Sequence, residues 1–208
     1  MNFFKIRPSE KHPSILLFIM FYCITTASIT GAAFRDAIFL IRFDKTYLPL
    51  MYVFIALIMA MAIEAYKKFT LEKDQITLIT ISGSIFSISL LLFQLYMPDW
   101  AIPVFYIWME IVTILSIMQF WILAGAVFNA RQAKRLFPLI IAGGSISAIS
   151  AGYSISPFIE FFGSHNILYL TLLFLITSIA ISHFIRPYVD EQPQFQPKDL
   201  KSRKIKLN

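Results

Sequence analysis

Two groups of ionisable residues stand out against the apolar background of this 208-residue chain. Arg35 and Asp36 fall within "GAAFRDAIFLIRF", and Glu110 interrupts "VFYIWMEIVTILSIM" with uncharged residues on both sides for at least ten positions. A guanidinium binds phosphate or carboxylate through parallel hydrogen bonds, and a carboxylate takes up a proton or pairs with such a guanidinium. The second group is basic: Arg131, Lys134 and Arg135 share five positions at the centre of "FWILAGAVFNARQAKRLFPLIIAGG". Arg131 and Arg135 are four apart and so lie on one helix face, where two like charges call for anions or an acidic partner between them. Such a cluster is a seat for phosphate groups or anionic lipid heads, or serves orientation in a membrane alone. No Gly-rich phosphate loop, metal-ligand cluster or nucleophilic triad is present, so the expected chemistry is binding and passage, with no enzyme activity, cofactor or metal. His12, His165 and His183 are scattered at predicted helix ends and read as interfacial.

The elements that must position these groups are membrane helices. Hydrophobic residues make up 58% of the chain and charged residues 14%, and mean hydropathy is +0.70, whereas a soluble domain is about a quarter charged. Charge-free windows recur six times, each long enough or nearly so for about 20 helical residues to cross roughly 30 Å of hydrocarbon. The expected spans are residues 13–40, 46–66, 75–97, 101–129, 135–157 and 164–185, which form one six-helix transmembrane domain over residues 1–186. The first window is longer than a signal-peptide core and lacks a small-x-small cleavage site, so it reads as a retained span. The single cysteine, Cys23, cannot form an internal disulfide.

The net charge of +6 invites a nucleic-acid reading, but its distribution argues against one, because the bases fall in short clusters between spans with no soluble domain to present a groove. Lys5, Arg7 and Lys11 precede the first span, Lys67, Lys68 and Lys73 follow the second, Arg131, Lys134 and Arg135 follow the fourth, and Arg186 and the tail bases follow the sixth. The opposite side has only Arg42 and Lys45. The positive-inside rule therefore puts both termini in the cytoplasm. Residues 187–208 lose apolar periodicity and gain proline and charge, as a flexible basic cytoplasmic tail or linker does. Gly144, Ala148 and Gly152, spaced by four, predict close helix packing and a central fifth helix, with Pro138 near that helix's start, where its missing N–H matters little. Glu64 is expected to pair with Lys68, Trp100 and Tyr96 to anchor at the interface, and Trp108 and Trp121 to pack. Facing lipid, Arg35, Asp36 and Glu110 would be expensive, so Arg35 and Asp36 are expected to point into the bundle or pair with neighbours near the outer boundary, and Glu110 needs a partner, for which Arg35 is the natural group on another helix at comparable depth.

The stretch "FYIWMEIVTILSIMQFWILAGAVFNARQAKRLFPLIIAGGSISAISAG" resembles the fourth and fifth helices of the ATP/ADP translocase family, nucleotide transporters related to the major facilitator superfamily. The matching positions are Glu110, then Phe120 and Trp121, then Ala133, Lys134, Arg135, Phe137, Pro138 and Leu139, then Gly143 and Gly144. Upstream, "FRDAIFLIRFDKTYLPLMYVF" is similar to the end of that family's first helix and the beginning of its second. The resemblance implies an all-α fold, a six-helix bundle corresponding to one half of a transporter of about twelve spans built from two such halves. One departure bears on substrate. The nucleotide-exchanging members carry a basic residue two positions beyond the aspartate, and here that position is Ile38, so a cavity charge that would help to bind a polyanion is missing.

The function expected is therefore a secondary transporter, or half of one, that moves a small anionic metabolite such as ATP or ADP by alternating access. Arg35, Asp36 and Glu110 would line the path, and Arg131, Lys134 and Arg135 would attract or gate anions at the cytoplasmic side. Its partners would be membrane lipid and a second six-helix half, another copy or another membrane subunit, in a bacterial inner membrane. The alternative is a non-transporting anchor or scaffold that recruits a partner through its cytoplasmic turn and tail.

Overall fold

A computed structural model describes residues 7–70 and 74–190 of the chain. Among these, six α-helices account for nearly all residues: α1 Pro8–Arg42, α2 Leu48–Thr70, α3 Gln75–Leu95, α4 Ala101–Val127, α5 Ala130–Phe162 and α6 Ile167–Asp190. All six are long and apolar enough to cross a membrane. Together with the composition they define an integral membrane protein, since a lone helix satisfies its own backbone in hydrocarbon. Lys5, Lys73 and the tail bases Lys198, Lys201, Arg203, Lys204 and Lys206 lie outside the described residues.

The helix ends have local causes. Pro8 opens α1, where a missing N–H is harmless, and Glu10 folds back to accept the Arg7 amide at 3.1 Å. Between α1 and α2, Asp44 accepts the Thr46 amide at 2.8 Å and the Thr46 hydroxyl, which starts a short 3-10 turn. Asn129 begins α5 with a reciprocal cap: its side chain accepts the Gln132 amide and the Gln132 side chain accepts the Asn129 amide, both at 3.0 Å. Gly163, with φ of 84°, stops α5 in a conformation that β-carbon-bearing residues avoid.

Several predicted boundaries are corrected. The loop between α4 and α5 is only Phe128 and Asn129, so α5 starts five residues before the expected 135 and carries Arg131, Lys134 and Arg135 on its first two turns, not in a turn between helices. Pro138 is consequently inside the helix, as are Pro157 and Pro187. Continuation of α6 through Pro187 to Asp190 also removes the first four residues from the predicted flexible tail 187–208, whose remainder lies outside the described residues.

The main helix pairings are α1 with α4, α5 and α6, α3 with α4 and α6, and α2 with α4. The hubs are therefore α1 and α4, each with three main partners, not the fifth helix. Exchanging α1, α2 and α3 for α4, α5 and α6 maps this set of pairings onto itself. The core near the start of α1 stacks Phe21 on Phe120 at 4.7 Å, with Trp121 and Phe137 against them. Towards the other end, Phe34, Phe86, Phe105 and Met109 form a second cluster. By contrast, α2 leaves Leu50, Val53, Phe54, Leu57 and Met61 exposed, as a lipid-facing or partner-facing helix does.

Of the predicted stripe, half-buried Gly144 packs on α1, where a β-carbon would lie 2.6 Å from the Phe21 ring, while Ala148 and Gly152 are exposed; beyond Gly144 the seam continues one residue earlier, through the buried Gly143, Ser147 and Ala151. A β-carbon at Gly143 would lie 2.8 Å from the Phe18 carbonyl oxygen, so the small residue is required there by backbone approach. At Gly152 nothing lies within 4 Å.

Candidate functional site

Arg35, Asp36 and Glu110 form one cluster. Arg35 is seven residues from the end of α1 and Glu110 nine from the start of α4. At 1.5 Å per residue these positions are about 10 and 14 Å along their helices from the same boundary, so antiparallel neighbours bring them level. The Arg35 side chain is 9% exposed, its Nε donates to Asp36 at 2.9 Å and its Nη1 donates to Glu110. Its guanidinium also lies 4.5 Å from the centre of the Tyr106 ring, a cation–π contact. Tyr106 was not among the expected site residues. Its spacing of four before Glu110 puts it on the same helix face, which was the available signal.

One guanidinium here faces two carboxylates. Asp36 is half exposed and Glu110 about a third, so the acidic side of the cluster is the accessible one. The two carboxylates take up Nε and Nη1 of Arg35, so an arriving solute meets the more exposed carboxylates beside the guanidinium. Ile38 packs half-buried against Phe39, Tyr106 and their neighbours, in apolar surroundings.

The basic residues do not act as a set. Arg135 is half-buried and its Nη2 bonds to Glu10 of α1, a carboxylate buried to 3% exposure. Gln132 donates to the other Glu10 oxygen at 3.1 Å. Arg131 is exposed and lines a cavity with Arg7, Glu10, Asn129, Gln132 and Arg135. Lys134 is exposed and stands apart from it. Sequence reasoning found the arginines but missed Glu10, the acidic partner that the spacing of Arg131 and Arg135 asked for. A lone acid among Arg7, Lys11 and other bases was the overlooked sign.

Between these two ends α1 is pinned by hydroxyl pairs: Tyr22 with Ser150 at 2.9 Å, Thr26 with Ser147 at 2.8 Å and Thr30 with Thr171 at 2.9 Å. They border a cleft of about 160 Å³ lined by α1, α5 and α6. Hydroxyls satisfied in this way are tolerated in hydrocarbon and fix helix register. Elsewhere Glu64 pairs with Lys67 at 2.6 Å instead of the expected Lys68. Trp100 and Tyr96 are exposed as interface residues are, Trp108 donates to Ser89 at 2.7 Å, and Cys23 is buried. Among the described residues no group of His, Cys, Asp and Glu is arranged to hold a metal.

The class defined by these observations is an all-α integral membrane protein with six apolar helices and an ionised cluster inside the bundle. Comparison with protein-family models, curated proteins and solved structures finds no match.

Proposed function

We propose that the chain is a secondary transporter, or one half of one, that moves a small anionic metabolite by alternating access. The observation that carries this reading is Arg35, a buried guanidinium held within an apolar helix bundle by carboxylates from two helices. Ionisable groups at that depth are expensive and mark translocation paths. The exchange symmetry of the helix pairings supports it, because transporter halves are commonly built from two inverted three-helix repeats. In this reading Arg35, Asp36 and Glu110 contact the solute, and a second six-helix half or another copy covers the exposed faces of α2 and α5. The reading places the protein in a bacterial inner membrane with both termini cytoplasmic, following the basic clusters. ATP and ADP are the first solutes to test, although Ile38 and the two carboxylates around Arg35 make a smaller, less charged anion the better fit.

The test is uptake into proteoliposomes containing the native-membrane assembly, against a panel of nucleotides and smaller anions. R35Q is expected to abolish uptake and E110Q to reduce it at least tenfold. Unchanged uptake in both variants would remove the transport reading.

A second reading, a non-transporting anchor or scaffold, is favoured by one observation: Arg35 is already neutralised by its neighbours and Ile38 joins the packing around Tyr106. A protein partner that co-purifies stoichiometrically, with no solute shifting thermal stability, would favour this reading.

A further inference from the structure

The cavity at the opposite end of α1 is not used by the proposed path. It lies about 38 Å from Arg35 along the helix, counted from Glu10 at 1.5 Å per residue. Its volume is about 320 Å³ and its lining is predominantly polar: Arg7, which caps the start of α1, Glu10 from α1, Asn129 from the loop, and Arg131, Gln132 and Arg135 from α5. Three guanidiniums against one carboxylate leave the cavity positive. The carboxylate is also the least available group in it, because Glu10 is 3% exposed and already accepts the Arg7 amide, Gln132 and Arg135. Glu10 therefore acts as an internal strut that fixes Gln132 and Arg135, while Arg7 and Arg131 are exposed at the cavity rim. Gln132 and Arg135 are already held by Glu10, so an incoming anion would have to order only the exposed Arg7 and Arg131 side chains.

We propose that this cavity is a binding site for a phosphate group, with Arg7 and Arg131 as the recognising cations and Arg135 as a third, fixed donor. Arginine suits the role because its planar fork matches phosphate oxygens in pairs. The phosphate has two possible sources with the same chemistry, a soluble phosphate or the headgroup of an anionic lipid at the membrane boundary where α1 and α5 emerge. The site does not depend on the transport reading, since its residues are remote from Arg35 and Glu110.

The experiment uses the 208-residue chain in nanodiscs and reads its thermal midpoint. One arm keeps phosphatidylcholine discs and titrates inorganic phosphate against chloride at matched ionic strength. The other compares phosphatidylcholine discs with discs containing phosphatidylglycerol. The variants are R7Q, R131Q and the double variant. All three alter exposed side chains, so the fold should survive, and their unliganded midpoints in phosphatidylcholine and chloride verify this. A saturable rise with inorganic phosphate, at least tenfold weaker in the double variant, assigns the site to soluble phosphate. A rise only in phosphatidylglycerol discs, lost in the double variant, assigns it to a lipid headgroup. No rise in either arm, or a rise equal in wild type and double variant, overturns the proposal.

Discussion

Arg35 is the residue on which the interior electrostatics turn. Replacing it leaves two carboxylates facing each other without a cation, whereas replacing Glu110 leaves Asp36 still bonded to the guanidinium. Removing one partner of a buried pair is strongly destabilising, so R35Q is expected to lose about 3 kcal/mol and E110Q roughly half that, because Glu110 is partly exposed. Thermal or denaturant unfolding in detergent micelles measures both, and equal losses would show that Asp36 contributes nothing. At the exposed end, hydrogen bonds from the Thr46 hydroxyl and amide hold the Asp44 carboxyl below its ordinary value. A lowered folded-state value means that the stabilisation is present above the unfolded value, about 3.9, and is lost as pH falls through the folded one. A small acid limb in the pH–stability profile should accordingly disappear in D44N.

At the scale of elements, the α1–α5 seam gives the sharpest contrast between two glycines. G143A forces a β-carbon against the Phe18 carbonyl oxygen and is expected to destabilise by about 1–3 kcal/mol. G152A meets open space and is expected to be neutral or slightly stabilising. Unfolding of the two variants side by side decides whether the seam follows the 143–147–151 register. The six spans themselves were legible in the sequence, because uninterrupted apolar windows are the strongest signal a membrane helix leaves. Arg35 and Glu110 were paired correctly on depth alone. The start of α5 was not legible because the charges of Arg131, Lys134 and Arg135 read as a connection, and the end of α6 because the chain from Pro187 onward read as tail, yet helices in a bundle continue past prolines. Four-residue spacing suggested the stripe at 144, 148 and 152, of which Gly144 does pack on Phe21, but the parallel stripe one residue earlier has the same spacing and is the buried one. Only packing distinguishes them. Glu10 escaped notice because its side-chain partners, Gln132 and Arg135, are more than 120 residues away in the chain.

For the whole molecule, orientation is open to direct measurement. Cys23 is the single cysteine and is buried, so C23S provides a clean background for single-cysteine reporters. In intact spheroplasts a membrane-impermeant maleimide should label a cysteine at Tyr96 and leave one at Lys67 unlabelled until the membrane is permeabilised. The reverse pattern would invert the proposed topology and place the Arg7–Arg131 cavity on the outer face.

The geometry of α1 carries a mechanical consequence. This one helix spans the bundle with an ionic clasp to α5 at Glu10, a clasp to α4 at Arg35 and hydroxyl pins near its middle, among them the Tyr22–Ser150 bond. A rod held at its midpoint and fastened at both ends is a lever. With clasps about 38 Å apart, a tilt of about 3° moves each end by about 1 Å in opposite directions. That distance is enough to lengthen a charge-assisted hydrogen bond beyond its useful range. Loosening one clasp would therefore load the other through α1, whose course between them includes Pro13.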